Sequence, residues 1–109
     1  GTAVKSVSVL VGDSVTLHSG VSELQRDDVI RWRFEHQNTP VAEINRKAGI
    51  FNTFDGPDGR FRHRLQLEYW TGSLTIRNIL TKHSGLYEIG IRSGSSSYTT
   101  HKSFNVTVS

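Results

Sequence analysis

Apolar and polar residues alternate with a period of two along most of the chain, the spacing that puts successive side chains on opposite faces of a strand. Residues 29–35 carry it most clearly: Ile30, Trp32 and Phe34 share one face, and Arg31, Arg33 and Glu35 share the other. In 85–92 the inward set is Tyr87, Ile89 and Ile91 and the outward set is Glu88, Gly90 and Arg92. Residues 103–108 turn Phe104, Val106 and Val108 inward, and 15–19 align Val15, Leu17 and Ser19. Further strands are predicted over 4–11, with a crossover between two sheets, and over 40–46, 50–54, 61–67 and 72–79. Turn chemistry separates them: Gly12-Asp13, Thr39-Pro40, the Gly-Pro-Asp-Gly of 56–59 and the Ser/Gly run of 93–97. No useful length shows a 3.6-residue period, so helix is limited to a turn at 81–84. The pattern predicts an all-β sandwich.

Composition sharpens this reading. The 109 residues fit one domain spanning 1–109, with enough chain to bury a core. A hydrophobic fraction of 35% is low for a globular chain and suits a sandwich in which alternate strand positions face inward. The net charge of +3 is spread over interspersed charges of both signs, unlike the clustered basic surface of a nucleic-acid binder. The apolar runs are too short to span a bilayer. With no leader and no initiator Met in view, the chain reads as an excised or processed domain, with Gly1-Thr2 as a cloning remnant. The sequence contains no cysteine, so disulfides and thiolate chemistry are excluded. Taken alone, that absence favours a reducing compartment.

Thirteen positions separate Ser19 from Trp32, and seventy separate Ser19 from Ile89. This spacing resembles the Cys-Trp-Cys framework of variable-type immunoglobulin domains, with both cysteines replaced. The Ser84-Gly85-Leu86-Tyr87 corner resembles the entry to strand F of that fold, where a tyrosine hydrogen-bonds back to the corner. Gly12-Asp13-Ser14-Val15-Thr16-Leu17 is similar to the entry of strand B. Together with Arg31-Trp32, Val41-Ala42-Glu43-Ile44 and Gly72-Ser73-Leu74-Thr75-Ile76-Arg77-Asn78, these features resemble the membrane-distal domain of the SLAM (signalling lymphocyte activation molecule) family and related lymphocyte adhesion receptors. The resemblance implies an immunoglobulin V-type Greek-key β-sandwich without a disulfide, nine-stranded because segments for both C′ (40–46) and C″ (50–54) are present. It also implies the extracellular side of the plasma membrane, with any membrane anchor outside this segment, and it outweighs the compartment argument from cysteine. Family members usually carry an aspartate before the Ser-Gly corner, paired with an arginine at the start of strand D. His83 stands there instead, leaving Arg60 without its expected partner.

Catalytic chemistry finds no foothold. The five histidines (His18, His36, His63, His83 and His101) show no ligand spacing and read as scattered surface imidazoles, so no metal or cofactor is expected. Acidic pairs such as Asp27-Asp28 read as solvated charge, and no nucleophile elbow or phosphate loop occurs. The chain does not read as an enzyme. Asn105-Val106-Thr107 is a glycosylation sequon with Asn105 facing outward.

Strand parity collects the remaining charge on one face. Arg31, Arg33 and Glu35 face outward on C, Glu43, Asn45 and Lys47 on C′, and Glu88 and Arg92 on F. The resemblance makes this C-C′-F-G face a site for another immunoglobulin domain, either a related family member or a second copy in a weak homodimer, since arginines beside glutamates suit a two-fold axis. Two alternatives stand beside it. One is a merely solvated face on a structural module. The other is a glycan-binding domain in which Arg92 grips a carboxylate and Tyr98 stacks on sugar.

Overall fold

The computed structural model describes residues 3–109, so the reading of Gly1 and Thr2 lies outside the described residues. Among these residues nine strands form two sheets. They are β1 (Val4–Val9), β2 (Val15–Leu17), β3 (Val29–Phe34), β4 (Ala42–Asn45), β5 (Ile50–Thr53), β6 (Leu65–Leu67), β7 (Leu74–Ile76), β8 (Gly85–Arg92) and β9 (Thr100–Val108). The larger sheet runs β1-β9-β8-β3-β4-β5, and the smaller runs β2-β7-β6. Both C′ (β4) and C″ (β5) are present, as the nine-stranded form requires.

The inward sets anticipated from alternation make the core. Ile30, Trp32, Phe34, Tyr87, Ile89 and Val106 from the large sheet meet Leu17, Leu74 and Ile76 from the small one, all almost fully buried. Phe34 packs edge-on against Phe61, with ring centroids 5.2 Å apart. Trp32 reaches across the sandwich and donates its indole N–H to the Gly72 carbonyl at 2.7 Å. Gly72 has φ +76°, and a Cβ there would lie 2.2 Å from Ile30 Cδ1, so both backbone conformation and space demand glycine.

The two framework positions have parted company. Ile89 is buried directly opposite Trp32 in the β3–β8 register. Ser19 is buried too, but its hydroxyl bonds to the backbone of nearby loops, donating to the Thr71 carbonyl at 2.5 Å and accepting from the Val21 N–H at 3.1 Å. Apolar packing on one side and local hydrogen bonds on the other therefore stand where a cross-sheet bond would run.

Three expectations require correction. Among the described residues β1 makes no crossover and pairs only with β9, in parallel, from Val4↔Ser103 to Val9↔Val108. The strand expected over 61–67 shrinks to β6, because turns claim the backbone before it. Phe61 N–H bonds to Asp55, Arg62 N–H to Gly59 and Arg64 N–H to Phe61, with His63 at φ +60°. Finally, His83 is no surface imidazole. It lies in the 3₁₀ turn Thr81–His83 and is fully buried, whereas the other four histidines are exposed.

His83 holds the corner together. Its Nδ1 accepts from the Leu80 N–H at 2.9 Å, and its Nε2 meets the Arg60 carbonyl at 2.7 Å. A carbonyl can only accept, so the ring is neutral with its proton on Nε2. Burial pushes the His83 pKa down, assisted by the cationic Arg64, Lys82 and Arg60, while the bond to the Arg60 carbonyl opposes the shift. Arg60 is not orphaned either. Its guanidinium forks onto Asp58 at 2.8–3.1 Å, reaches the Lys82 carbonyl at 3.1 Å, and holds the Asp58 carboxyl down at about 2. The Tyr87 hydroxyl donates to the His83 carbonyl at 2.6 Å, the back-bond anticipated for the corner, and burial drives its pKa upward.

Candidate recognition face

The outer face of the large sheet is organised by register. One row crosses β9, β8, β3, β4 and β5 as His101, Gly90, Arg31, Glu43 and Asn52, and the next crosses β9, β8 and β3 as Ser103, Glu88 and Arg33. A third contains Arg92, Val29 and Asn45. Arg31, Arg33, Glu43, Asn45, Glu88 and Arg92 thus share the face that parity assigned them. Arg31 Nε donates to Glu43 Oε2 at 2.9 Å. Glu43 keeps only 13% of its side chain exposed, so that pair neutralises a carboxylate largely withdrawn from water. His101 Nδ1 lies 3.6 Å from Glu88 Oε1.

Two predicted residues lie beyond the strands that carry the face, Lys47 still edging it beside Val29, Asn45 and Arg92. Glu35 lies beyond the end of β3 with φ +52°, and its Oε2 accepts the Leu86 N–H at 3.2 Å, so its exposed side chain ties β3 to the start of β8. The turn at its own backbone ends the alternation. Lys47 is not on β4 but in the 3₁₀ turn Arg46–Ala48, where it pairs with Asp27 at 3.7 Å. Asn45 caps that turn, its side-chain oxygen accepting from the Ala48 N–H at 3.3 Å. The C′ strand ends early because the chain must reverse into β5 within four residues, 46–49.

Other residues of the face went unread. β9 begins at Thr100 rather than 103, so His101 joins the face beside Gly90. Gly90 itself floors a depression of about 180 Å³ walled by Val29, Arg31, Arg33, Arg92, Thr99 and His101. Extending the alternation of 103–108 backwards would have placed His101 outward. Nothing in the sequence marks Gly90 as a floor. Tyr98, the stacking candidate of the glycan alternative, is 80% exposed and lies outside that wall. Asn105 is exposed on the same sheet, registered between Ser6 and Leu86. Among the described residues no cluster of His, Asp and Glu could hold a metal ion, and no helix is long and apolar enough to cross a membrane.

Away from this face, Arg46 gathers three loops. Its guanidinium donates to the carbonyls of Leu24 and Tyr69 and lies 4.0 Å from the centroid of the Tyr69 ring.

A family model for the immunoglobulin V-set domain matches residues 2–109. The chain belongs to the immunoglobulin V-set family. This V-set domain also has many structural counterparts. The crystal structure of CD84, described as a member of the SLAM family, aligns with a TM-score of 0.76 at 20% identity, covering 97% of each chain. The CD2-binding domain of CD58 aligns at 0.66 and 24% identity, covering 97% of this chain and 54% of that one. The human B7-H4 IgV-like domain aligns at 0.68 and 18% identity, covering 99% and 94%. At these identities the likeness is one of fold. No curated protein sequence matches the chain.

Proposed function

We propose that this V-set domain is a recognition module of an immune-type cell-surface receptor, working outside the cell and binding another immunoglobulin domain through its C-C′-F-G face. The observation that carries the reading is the assembly of Arg31, Arg33, Glu43, Glu88 and Arg92 on the outer face of one sheet. The fold relatives support it: CD84 is described within SLAM family function, and the CD58 domain as CD2-binding. Flat charged faces favour fast, specific and weak contacts, because desolvation offsets much of the Coulomb gain. Such a module needs no cofactor and no enzymatic activity. A glycan on Asn105 would stand over the β1–β9 side of the same sheet at the level of Ser6 and Leu86, leaving β3, β4, β8 and the His101 end of β9 open to contact.

The test is charge reversal. Arg31→Glu and Arg33→Glu should each weaken binding to an immunoglobulin-domain partner roughly tenfold or more and flatten its salt dependence. Surface plasmon resonance over a panel of immune-receptor ectodomains, this chain included, supplies the readout. Unchanged binding in both variants, or an interface mapped elsewhere, would sink the assignment.

A further inference from the structure

We propose that the depression over Gly90 is a carboxylate-binding subsite, and that an acidic face of a partner protein, rather than a second copy of this chain, fills it. This inference rests on the recognition-face reading and names the chemistry of the partner.

The first argument is the glycine. Gly90 sits mid-strand in β8, paired to Arg31 on one side and His101 on the other. Unlike Gly72 or Gly85 it has no positive φ, so the backbone does not require glycine there. Glycine inside a strand weakens it and marks places where a ligand or another chain approaches closely. A Cβ at Gly90 would already stand 3.2 Å from Thr99 Cγ2 and 3.6 Å from His101 Cε1, narrowing the depression.

The second argument is charge. Three arginines and a histidine wall the depression, and no carboxylate does. Arg31 is committed to Glu43. Among the described residues Arg33 and Arg92 form no ion pair, Arg33 reaching only the Asn38 carbonyl at 3.4 Å. A guanidinium presents donors in a planar fork that fits a carboxylate. The volume of about 180 Å³ admits such a group with its methylene stem.

The third argument selects the source. Of the carboxylates predicted for this face, Glu43 is engaged by Arg31 and Glu35 by the Leu86 N–H, which leaves Glu88, 3.6 Å from His101, against the unpaired Arg33 and Arg92. A second copy would therefore bring surplus arginine to surplus arginine. Sugar is disfavoured because no Trp, Tyr or Phe ring lines the depression.

The experiment is an NMR titration of the whole 109-residue chain with acetate, and in parallel with methyl N-acetylneuraminoside. Acetate should give saturable shifts at the Gly90 amide and the Arg33 and Arg92 Nε–H groups. Affinity should fall roughly tenfold or more in Gly90→Asp, which supplies the carboxylate internally, and in Arg92→Gln. Gly90→Val, which fills the space without charge, should do the same and guards against a charge-specific folding defect. The absence of saturable shifts at Gly90, or shifts that survive all three variants, would overturn the subsite. Should the sialoside bind more than roughly tenfold tighter than acetate, the partner would be a glycan. Dimerisation of the wild type in ultracentrifugation, abolished by Gly90→Asp, would make it a second copy. If acetate fails while Arg31→Glu still abolishes binding to an immunoglobulin partner, the subsite falls and the recognition face stands.

Discussion

His83 should make this domain acid-sensitive. Replacing it with alanine at neutral pH removes a fully buried ring together with both of its hydrogen bonds. The Leu80 N–H and the Arg60 carbonyl lose their partner, and a buried polar group left unpaired costs about 1–3 kcal/mol. Partial hydration of the vacated space offsets some of this, so His83→Ala should destabilise the domain by about 3 kcal/mol and lower Tm by roughly 10–20 °C. The pH dependence follows from the lowered pKa. In the unfolded chain His83 takes up a proton below about pH 6.5, while the buried ring resists doing so. The native state then binds fewer protons, so this contribution is fully present above pH 6.5 and is lost as pH falls towards the depressed folded value. The slope should reach at most about 1.4 kcal/mol per pH unit. Protonation would also aim a second N–H at the Leu80 N–H, a donor facing a donor. Chemical denaturation followed by tryptophan fluorescence at about pH 7.5, 6.5 and 5.5 supplies the measurement. Equal slopes in wild type and His83→Ala would refute the reasoning, because the titration would then belong to other groups. Asp58, held near 2, does not interfere, since its effect appears only as pH falls below its ordinary range near 3.8.

Three further outcomes test the framework. Ile89→Ala should cost about 2–5 kcal/mol in denaturant titrations, and wild-type Tm should be the same with and without reductant; a loss under about 1 kcal/mol would place Ile89 outside the core. Gly72→Ala should destabilise by about 2 kcal/mol or more, because Ile30 must move and the residue is strained at φ +76°; a neutral substitution would show that the Trp32 contact tolerates a shift of the 68–73 loop. Glu35→Ala should lower stability by about 1 kcal/mol while leaving partner affinity unchanged, and a binding defect at unaltered stability would return Glu35 to the recognition face.

The sandwich was legible because its signals are periodic. Trp32, Ile89 and Tyr87 occupy core positions fixed by alternation and by separations that survive the loss of both cysteines. What escaped was set by non-periodic backbone. Glu35 and His63 lie in left-handed conformations that stop an alternating run without glycine or proline to announce it. Lys47 was carried by parity past the point where β4 had ended. His83 escaped for a different reason: a histidine between Lys82 and Ser84 reads as polar turn, and only tertiary placement against Phe61, with centroids 5.4 Å apart, reveals it as core. The Gly90 depression depends on side chains from three strands, so one-dimensional spacing could locate its members but not their meeting.

The parallel pairing of β1 with β9 has a mechanical consequence. β9 is held by six registered pairs to β1 on one flank and seven to β8 on the other. Beyond it, Ser109 is clasped by the Val11 N–H and the Val9 carbonyl. A tug along β9 from Ser109, resisted at the arginine-rich face, would load those bonds in shear, many at once, rather than peel them singly. Force entering at that end would be shared along both flanks of β9 at once, so the core beneath it is shielded from being unzipped one residue at a time.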